Sequence, residues 1–133
     1  MRRAVQGLGA LAAVGLFVWL AACGSSPTSP KNVSLAGNYT LTQFVLGGTD
    51  LSQISSGTLD LTDTDYALNM MMGDSAIVEN GTYVATDSLT FSETPSNPQE
   101  PQLTGTYTLS ASNLLTVTAT VGGVPVTQGW QKQ

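Results

Sequence analysis

The feature that most constrains this chain is a two-residue alternation of apolar and polar side chains, repeated in short segments from Gly57 onward. In Leu115–Val121, aliphatic side chains alternate with three threonines, and Tyr66–Met72 shows the same period after a turn at 63–65. Successive side chains of a β-strand point to opposite faces, so this period is typical of a strand with one buried face. No segment from Gly37 onward keeps a helical period for three turns. The chain is therefore predicted to be all-β and antiparallel.

Eight strands are predicted, and most of the connections between them are short. Turn residues mark several of these connections, among them Gly122-Gly123 and Thr86-Asp87-Ser88. Short connections make sequential strands neighbours, which gives an up-and-down meander. Closure into a small barrel would remove its two exposed edges, and an incomplete barrel of seven or eight strands stays open as an alternative. The predicted strands are Asn38–Leu46, Gly57–Leu61, Tyr66–Met72, Ile77–Ala85, Leu89–Glu93, Leu103–Ser110, Leu115–Val121 and Val124–Lys132.

The interior of an eight-stranded barrel is just wide enough to be filled by side chains or to hold one small ligand. The aromatic residues suit a filled interior, and Trp130, in register with Val124 and Val126, is expected to point inward near the first strand. Flexible methionines favour an adaptable apolar pocket instead. The candidate ligand-cavity residues are Tyr39, Leu68, Met70, Met72, Tyr83, Phe91, Tyr107 and Trp130.

The run Met70-Met71-Met72 also suggests a Cu(I) site, because thioethers are soft ligands. Strand alternation places Met70 and Met72 on one face and Met71 on the other, so the three sulfurs cannot meet at one ion. We expect the first two to fill the core or line a pocket, with Met71 on the outer face.

Composition argues against several classes of function. The chain contains no histidine and one cysteine, and its carboxylates show no pairing that indicates an acid–base site, so we expect no catalysis and no cofactor. Asp60, Asp63 and Asp65 surround one turn, but they lack the glycine and the distal glutamate of an EF-hand loop. Turn capping is expected there instead of metal binding. The net charge of −5 argues against nucleic-acid binding, which needs a basic surface.

The N-terminus has the pattern of an export signal. Arg2 and Arg3 precede an apolar run from Gly7 to Ala22, which ends at Cys23 and is followed at once by polar residues. A basic start, an apolar stretch and small residues at its end are typical of a cleaved secretory signal peptide. A single transmembrane anchor is the alternative, because a run of about 17–20 apolar residues can just span a bilayer.

The run Leu20-Ala21-Ala22-Cys23 resembles the lipobox of bacterial lipoproteins. The resemblance implies that the signal 1–22 is removed and that acyl chains on Cys23 anchor the protein to a membrane. It also implies the outer membrane where a host has two, since Gly24 stands where enteric lipoproteins carry a retention aspartate. Residues 23–36 would then be the lipidated cysteine and a flexible tether.

The strand motifs of 37–133 resemble those of short bacterial lipoproteins with a lipocalin-like domain. That resemblance rests on a first strand Gly-x-Tyr-x-Leu, a second Gly-Thr-Leu-x-Leu and an aromatic-x-Lys end. It implies a lipocalin-like barrel. The Gly-x-Trp signature and the C-terminal helix of full-size lipocalins are missing from the sequence, so no ligand class is implied. The matching segments are Gly37–Leu41, Gly57–Leu61, Asp63–Leu68, Gly81–Tyr83, Leu89–Phe91 and Trp130–Lys132.

Two functions fit this sequence. The first is a non-catalytic, lipid-anchored envelope protein whose barrel binds a small apolar molecule. The second is a structural or protein-interaction module of the cell envelope with a filled core and no ligand. The proline-containing segment Glu93–Gln102 is expected to be a loop, either a lid or partner-contact element or a tolerated surface insertion. The sequence identifies no protein partner.

Overall fold

The computed structural model describes residues 29–133, so the predicted signal peptide and the lipidation of Cys23 lie outside the described residues. Ten strands and one short 3-10 helix, Ser52–Ile54, make up this part of the chain. Within it, no helix is long and apolar enough to cross a membrane. The strands are β1 Asn32–Val33, β2 Gly37–Leu46, β3 Thr49–Asp50, β4 Ser55–Leu61, β5 Asp65–Met72, β6 Ser75–Thr86, β7 Thr90–Pro95, β8 Leu103–Leu109, β9 Leu114–Val121 and β10 Val124–Lys132.

Eight of these strands form a closed antiparallel barrel. From β4 to β10 each strand pairs with the next along the chain, and β2 pairs with β4 on one side and with β10 on the other. The β2–β10 pairing joins the ends of the meander, with Leu46 opposite Val126 and Tyr39 opposite Lys132. Closure pairs the backbone groups that two free edges would leave unpaired. The predicted all-β meander of eight strands closing into a small barrel is confirmed, and the barrel is compatible with a lipocalin-like fold.

The two-residue alternation decides which side chains enter the barrel. In β9, Leu115 is fully buried and Val117 is 1% exposed, whereas Thr118 lies exposed on the outer face. In β5, Met70 is 5% exposed and Met71 is 41% exposed, as the alternation predicts. Burial of this inner face stabilises the barrel by roughly 25 cal/mol for each Å² of apolar surface removed from water.

One extra residue in β2 interrupts the alternation. Gly129 of β10 pairs with Gln43 and Trp130 pairs with Leu41, so Thr42 is an additional residue in the β2 ladder. Such a bulge bends a strand and increases its twist, which helps a sheet of this size to curl until its ends meet.

The two ends of the barrel differ, and we call them proximal and distal. At the proximal end β2 begins and β10 ends, and at the distal end β2 ends and β10 begins. Three distal turns contain glycines with positive φ, which suits tight hairpins because their twist matches that of the strands. The proximal connections are 62–64, 87–89 and 110–113, and the distal connections are 47–54, 73–74, 96–102 and 122–123.

A repeated Gly-x-Tyr motif brings strands together and closes the proximal end. Gly81 and Gly105 each lie so close to the neighbouring strand that an added Cβ would be 2.1 Å from a backbone carbonyl oxygen. The tyrosine of each motif lies on the inner face and donates a hydrogen bond to a backbone carbonyl near the proximal end. The bonds run from Tyr39 to Leu35 (2.7 Å), from Tyr83 to Thr62 (2.6 Å) and from Tyr107 to Thr86 (2.8 Å).

The folded domain begins before the predicted boundary at residue 37. Strand β1 pairs with the end of β6, and Leu35 is buried, with its backbone N–H donating to the hydroxyl of Tyr83 at 3.0 Å. The sequence analysis assigned all of 23–36 to a flexible tether, and the structure corrects this from residue 32 onward. The apolar side chains of this segment cover the proximal end of the core, and their burial favours order over flexibility.

Strand β7 continues through Pro95, so the loop predicted for Glu93–Gln102 begins three residues later. Pro95 lies opposite Gly81, and the next hydrogen bond toward β6 runs from the N–H of Ser96 to the carbonyl of Asn80 at 2.8 Å. The nitrogen of Pro95 therefore points toward β8, whose pairing with β7 has already ended at Glu93. A proline is tolerated where no ladder hydrogen bond is needed.

Candidate functional site

The distal half of the barrel contains a cavity of about 220 Å³. Inward-facing side chains from seven of the eight barrel strands line it, and Pro101 of the distal loop completes the wall. Leu46, Met72 and Val121 are half-buried at the distal rim, so the cavity opens to solvent at that end. The lining residues are Phe44, Leu46, Leu68, Met70, Met72, Ile77, Glu79, Glu93, Pro101, Leu103, Val121, Val126 and Gln128.

The proximal half is filled by aromatic side chains. Trp130 has no exposed surface and Tyr39 is 1% exposed. The ring of Phe91 stacks on Tyr83 with a centroid distance of 5.9 Å and meets Tyr107 edge-on at 6.2 Å. Offset and edge-on contacts of this kind add to the stabilisation that burial provides. This half leaves no room for a ligand.

The residues that the sequence analysis grouped as one cavity are therefore divided between the two halves. Leu68, Met70 and Met72 line the distal cavity. The other candidates pack the proximal core and are not among the cavity-lining residues; they are Tyr39, Tyr83, Phe91, Tyr107 and Trp130.

Glu93 is the most deeply buried charged residue of the described chain. Its side chain points into the cavity from β7 and is 6% exposed. Burial raises its pKa from an ordinary 4.5 to about 8, and the negative charge of Glu79 adds to the rise. The carboxyl group is therefore mostly protonated at neutral pH while the cavity is empty.

Glu79 is a second carboxyl group in the same cavity. The hydroxyl of Tyr66 donates a short hydrogen bond to Oε1 of Glu79 from the neighbouring strand. Burial raises the pKa of Glu79, and the nearby Glu100 of the distal loop raises it further, while the bond from Tyr66 lowers it. The pKa of Tyr66 is itself raised, mainly by burial and next by this bond. Two carboxyl groups thus share one largely apolar chamber.

The charges of the barrel are distributed unevenly between its ends. Lys132 ends β10 at the proximal end, and Lys31 exchanges hydrogen bonds with Asp87 there. These are the two lysines of residues 29–133, which contain no arginine or histidine. The distal connections carry Asp50 and Asp74 in addition to the cavity carboxyls. The mouth is therefore surrounded by negative charge, which attracts cations and repels anions.

A larger groove of about 540 Å³ lies on the outer face of β4–β6, but it is open to solvent. Outward-facing side chains border it, including Met71 and Val78, which is 69% exposed. An open groove of this kind keeps water against any molecule lying in it. The distal cavity lies inside the barrel and opens only at its mouth, so it is the better ligand site.

The aspartate-rich turn after β4 is stabilised by a threonine. The hydroxyl oxygen of Thr62 accepts hydrogen bonds from the N–H groups of Thr64 (3.3 Å) and Asp65 (2.9 Å). Asp63 instead accepts a 2.7 Å bond from the hydroxyl of Ser34. The expectation that the aspartates cap this turn is corrected by these bonds. In residues 29–133 no three His, Cys, Asp or Glu side chains are grouped to hold a metal ion.

Three polar residues of the cavity wall are absent from the predicted cavity residues. The signal was present, because each lies at an even spacing from an inward-facing aromatic residue of its own strand. Glu79 is four residues before Tyr83, and Glu93 is two after Phe91. Gln128, likewise, precedes Trp130 by two. The two-residue alternation, continued through these polar residues, predicts that their side chains face the interior of the barrel.

The fold and the cavity define a class of protein: a small closed antiparallel β-barrel, filled at one end and enclosing a pocket for one small molecule at the other. In comparisons with known proteins, no family model, no curated protein and no solved structure matches this chain.

Proposed function

We propose that the protein is a non-catalytic lipoprotein of the cell envelope, anchored to the outer membrane through acyl chains on Cys23, whose barrel binds a small and largely apolar molecule. The observation that carries the proposal is the cavity of about 220 Å³ in a barrel whose other half is tightly packed. An apolar cavity of about 150 Å³ is large enough to bind benzene. The wall is apolar except at a few positions, which is typical of small-molecule sites.

The position of the N-terminal segment suits a barrel held on a membrane. The segment enters at the proximal end, where the backbone N–H of Lys31 donates to the Asp87 carboxylate (3.1 Å) and the backbone N–H of Asp87 donates to the Lys31 carbonyl (2.9 Å). Cys23 and Lys31 are eight residues apart, a separation that spans at most roughly 28 Å even in a fully extended chain. An anchor at Cys23 would therefore hold the proximal end near the lipid and leave the distal mouth facing away from it. The net negative charge of the folded domain would keep it off anionic headgroups.

The second function, a structural module without a ligand, is favoured by the packed proximal half. The two functions differ only in the distal cavity, so a substitution that fills the cavity separates them. Val121 points inward at the rim and Thr120, one residue earlier, points outward. Val121→Phe fills the cavity, and Thr120→Phe is the matched control that adds the same ring outside.

The test combines mass spectrometry of molecules extracted from the purified protein with ligand-detected NMR of toluene binding. We expect the original chain and Thr120→Phe to bind toluene and to carry the same extracted molecule, and Val121→Phe to lose both. An original chain that carries no extracted molecule and binds no toluene, or toluene binding that survives in Val121→Phe, contradicts the ligand-binding function and favours the structural one.

A further inference from the structure

We propose that the ligand is a small organic cation, an amine or quaternary ammonium group on an apolar body, whose positive charge lies against Glu93. This inference rests on the proposed function, because it names the chemical class of the molecule in the distal cavity. It stands on a buried carboxyl group without a partner, on a second carboxyl group beside it and on the position of the lysines.

Glu93 has the position of a binding group. Its side chain is 6% exposed and faces the cavity, where its carboxyl oxygens keep some accessible surface, and no group of residues 29–133 forms a hydrogen bond with it. Leu103 lies directly opposite it on β8 and Tyr83 directly opposite on β6. The hydroxyl of Tyr83 is used elsewhere, in its bond to the carbonyl of Thr62. Burying a carboxyl group without a partner costs stability, and a ligand that supplies a donor or a positive charge offsets that cost.

The other ionisable groups around the cavity make a cation the complementary ligand. Glu79 lines the same cavity from β6, Tyr66 reaches Glu79 from β5, and Glu100 lies near Glu79 in the distal loop. The inward-facing residues that β2, β8, β9 and β10 contribute to the cavity are uncharged. Both lysines of the described chain lie at the proximal end. A bound cation would therefore favour the ionised form of these carboxyl groups and would meet no lysine side chain, whereas a carboxylate ligand would find no positively charged partner.

Size and apolar lining restrict the cation. If benzene fits an apolar cavity of about 150 Å³, a volume of about 220 Å³ admits roughly nine non-hydrogen atoms. Phe44, Met70 and Val126 offer an apolar wall that a bare metal ion could not use. A ring or a branched chain with one cationic nitrogen matches both the apolar wall and the carboxyl group of Glu93.

The charge requirement is tested with three probes of nearly equal size: benzylamine, benzyl alcohol and toluene. Their affinities are measured by calorimetry at pH 8 for the unsubstituted protein and for the variants Glu93→Gln and Asp60→Asn. Asp60 lies exposed on β4, so its variant removes one negative charge without touching the cavity. We expect the full chain to bind benzylamine at least tenfold more tightly than benzyl alcohol. Glu93→Gln should lose the tenfold preference for benzylamine while its affinity for toluene changes by no more than twofold. Asp60→Asn should change neither the preference nor the toluene affinity.

The outcomes separate the two proposals. If toluene binds but benzylamine is not preferred, or if Glu93→Gln keeps the preference, the cation inference is overturned and the ligand-binding function stands. If neither toluene nor benzylamine binds, both proposals are overturned.

A measurement on the unsubstituted protein makes the test independent of whether a variant folds. The probe is butyltrimethylammonium, which is within the size limit of the cavity and whose charge does not change with pH. Because the carboxylate form of Glu93 must be present, affinity should rise about tenfold per pH unit from pH 6 toward pH 8 and then level off. Affinity that is independent of pH over this range overturns the inference.

Discussion

The indole Nε1 of Trp130 donates a 2.9 Å hydrogen bond to Oε1 of Gln128, two residues earlier on β10. Trp130 belongs to the packed proximal half, and Gln128 lines the distal cavity. The bond therefore joins the two halves of the interior. It also satisfies the one polar atom of a side chain that has no exposed surface.

The fluorescence of Trp130 should report this environment. In a chain that begins at Cys23, Trp130 is the single tryptophan, because the other one is Trp19. Complete burial should give blue-shifted emission and slow quenching by iodide. A ligand touching Gln128 should change the emission on titration. Red-shifted, freely quenched emission from a folded sample would show that β10 does not close the barrel.

Gln128→Leu should destabilise the protein by about 1–3 kcal/mol, because the buried indole N–H loses its acceptor. The free energy of unfolding in urea measures the effect. Gln43→Leu is the control, since Gln43 lies exposed on the neighbouring strand β2, and it should change stability by no more than about 0.5 kcal/mol. Equal effects of the two substitutions would rule out a stabilising role for the bond.

Glu93 should make the protein less stable as the pH rises. Its pKa in the folded protein, about 8, lies above its ordinary value of 4.5, so the folded state holds the proton more tightly. The stabilising contribution is complete below pH 4.5 and is lost as the pH rises through 8, by at most about 1.4 kcal/mol per pH unit. Unfolding in urea at pH 5, 6, 7 and 8 measures this loss. Glu93→Gln should flatten the profile, and an identical profile for the variant would contradict the burial of an unpaired carboxyl group.

Gly105→Ala should be among the more costly single substitutions in the barrel. An added Cβ would lie 2.1 Å from the carbonyl oxygen of Thr118 and 2.5 Å from Cα of Ala119, so the backbone of β9 has to move. We expect a loss of about 3 kcal/mol or more. Gly129→Ala is the milder comparison, because its nearest contact is the side-chain hydroxyl of Thr42 at 3.0 Å, which can rotate. Thermal unfolding of both variants gives the order, and the reverse order would contradict the close approach of β8 and β9.

The proposed anchor predicts a separate result. Cys23→Ser removes the thiol that would carry acyl chains, so the variant should lose acyl labelling and leave the membrane fraction. Metabolic labelling with a fatty acid and cell fractionation measure both effects. Labelling that persists in the variant would eliminate the lipoprotein proposal without affecting the barrel.

Much of the architecture could be predicted from local sequence. Thr120 and Val121 are assigned to opposite faces by the alternation alone, because the direction of a strand side chain depends on its own backbone. Short connections such as Gly122-Gly123 then require sequential strands to pair. Glu93 is an exception. The sequence places it at the end of a strand and the start of a proline-containing loop, and the alternation gives no side-chain direction for a residue in a loop.

The sequence by itself determined the order of the eight barrel strands and the faces of most of their side chains, because these follow from backbone geometry within a few residues. Only the tertiary structure decided that β2 closes on β10, that Leu35 covers the proximal end and that the empty space lies at the distal end. Each of these depends on the combined volume of side chains that are distant in the chain. The raised pKa of Glu93 likewise depends on residues of other strands, which bury its side chain and bring Glu79 into the same cavity.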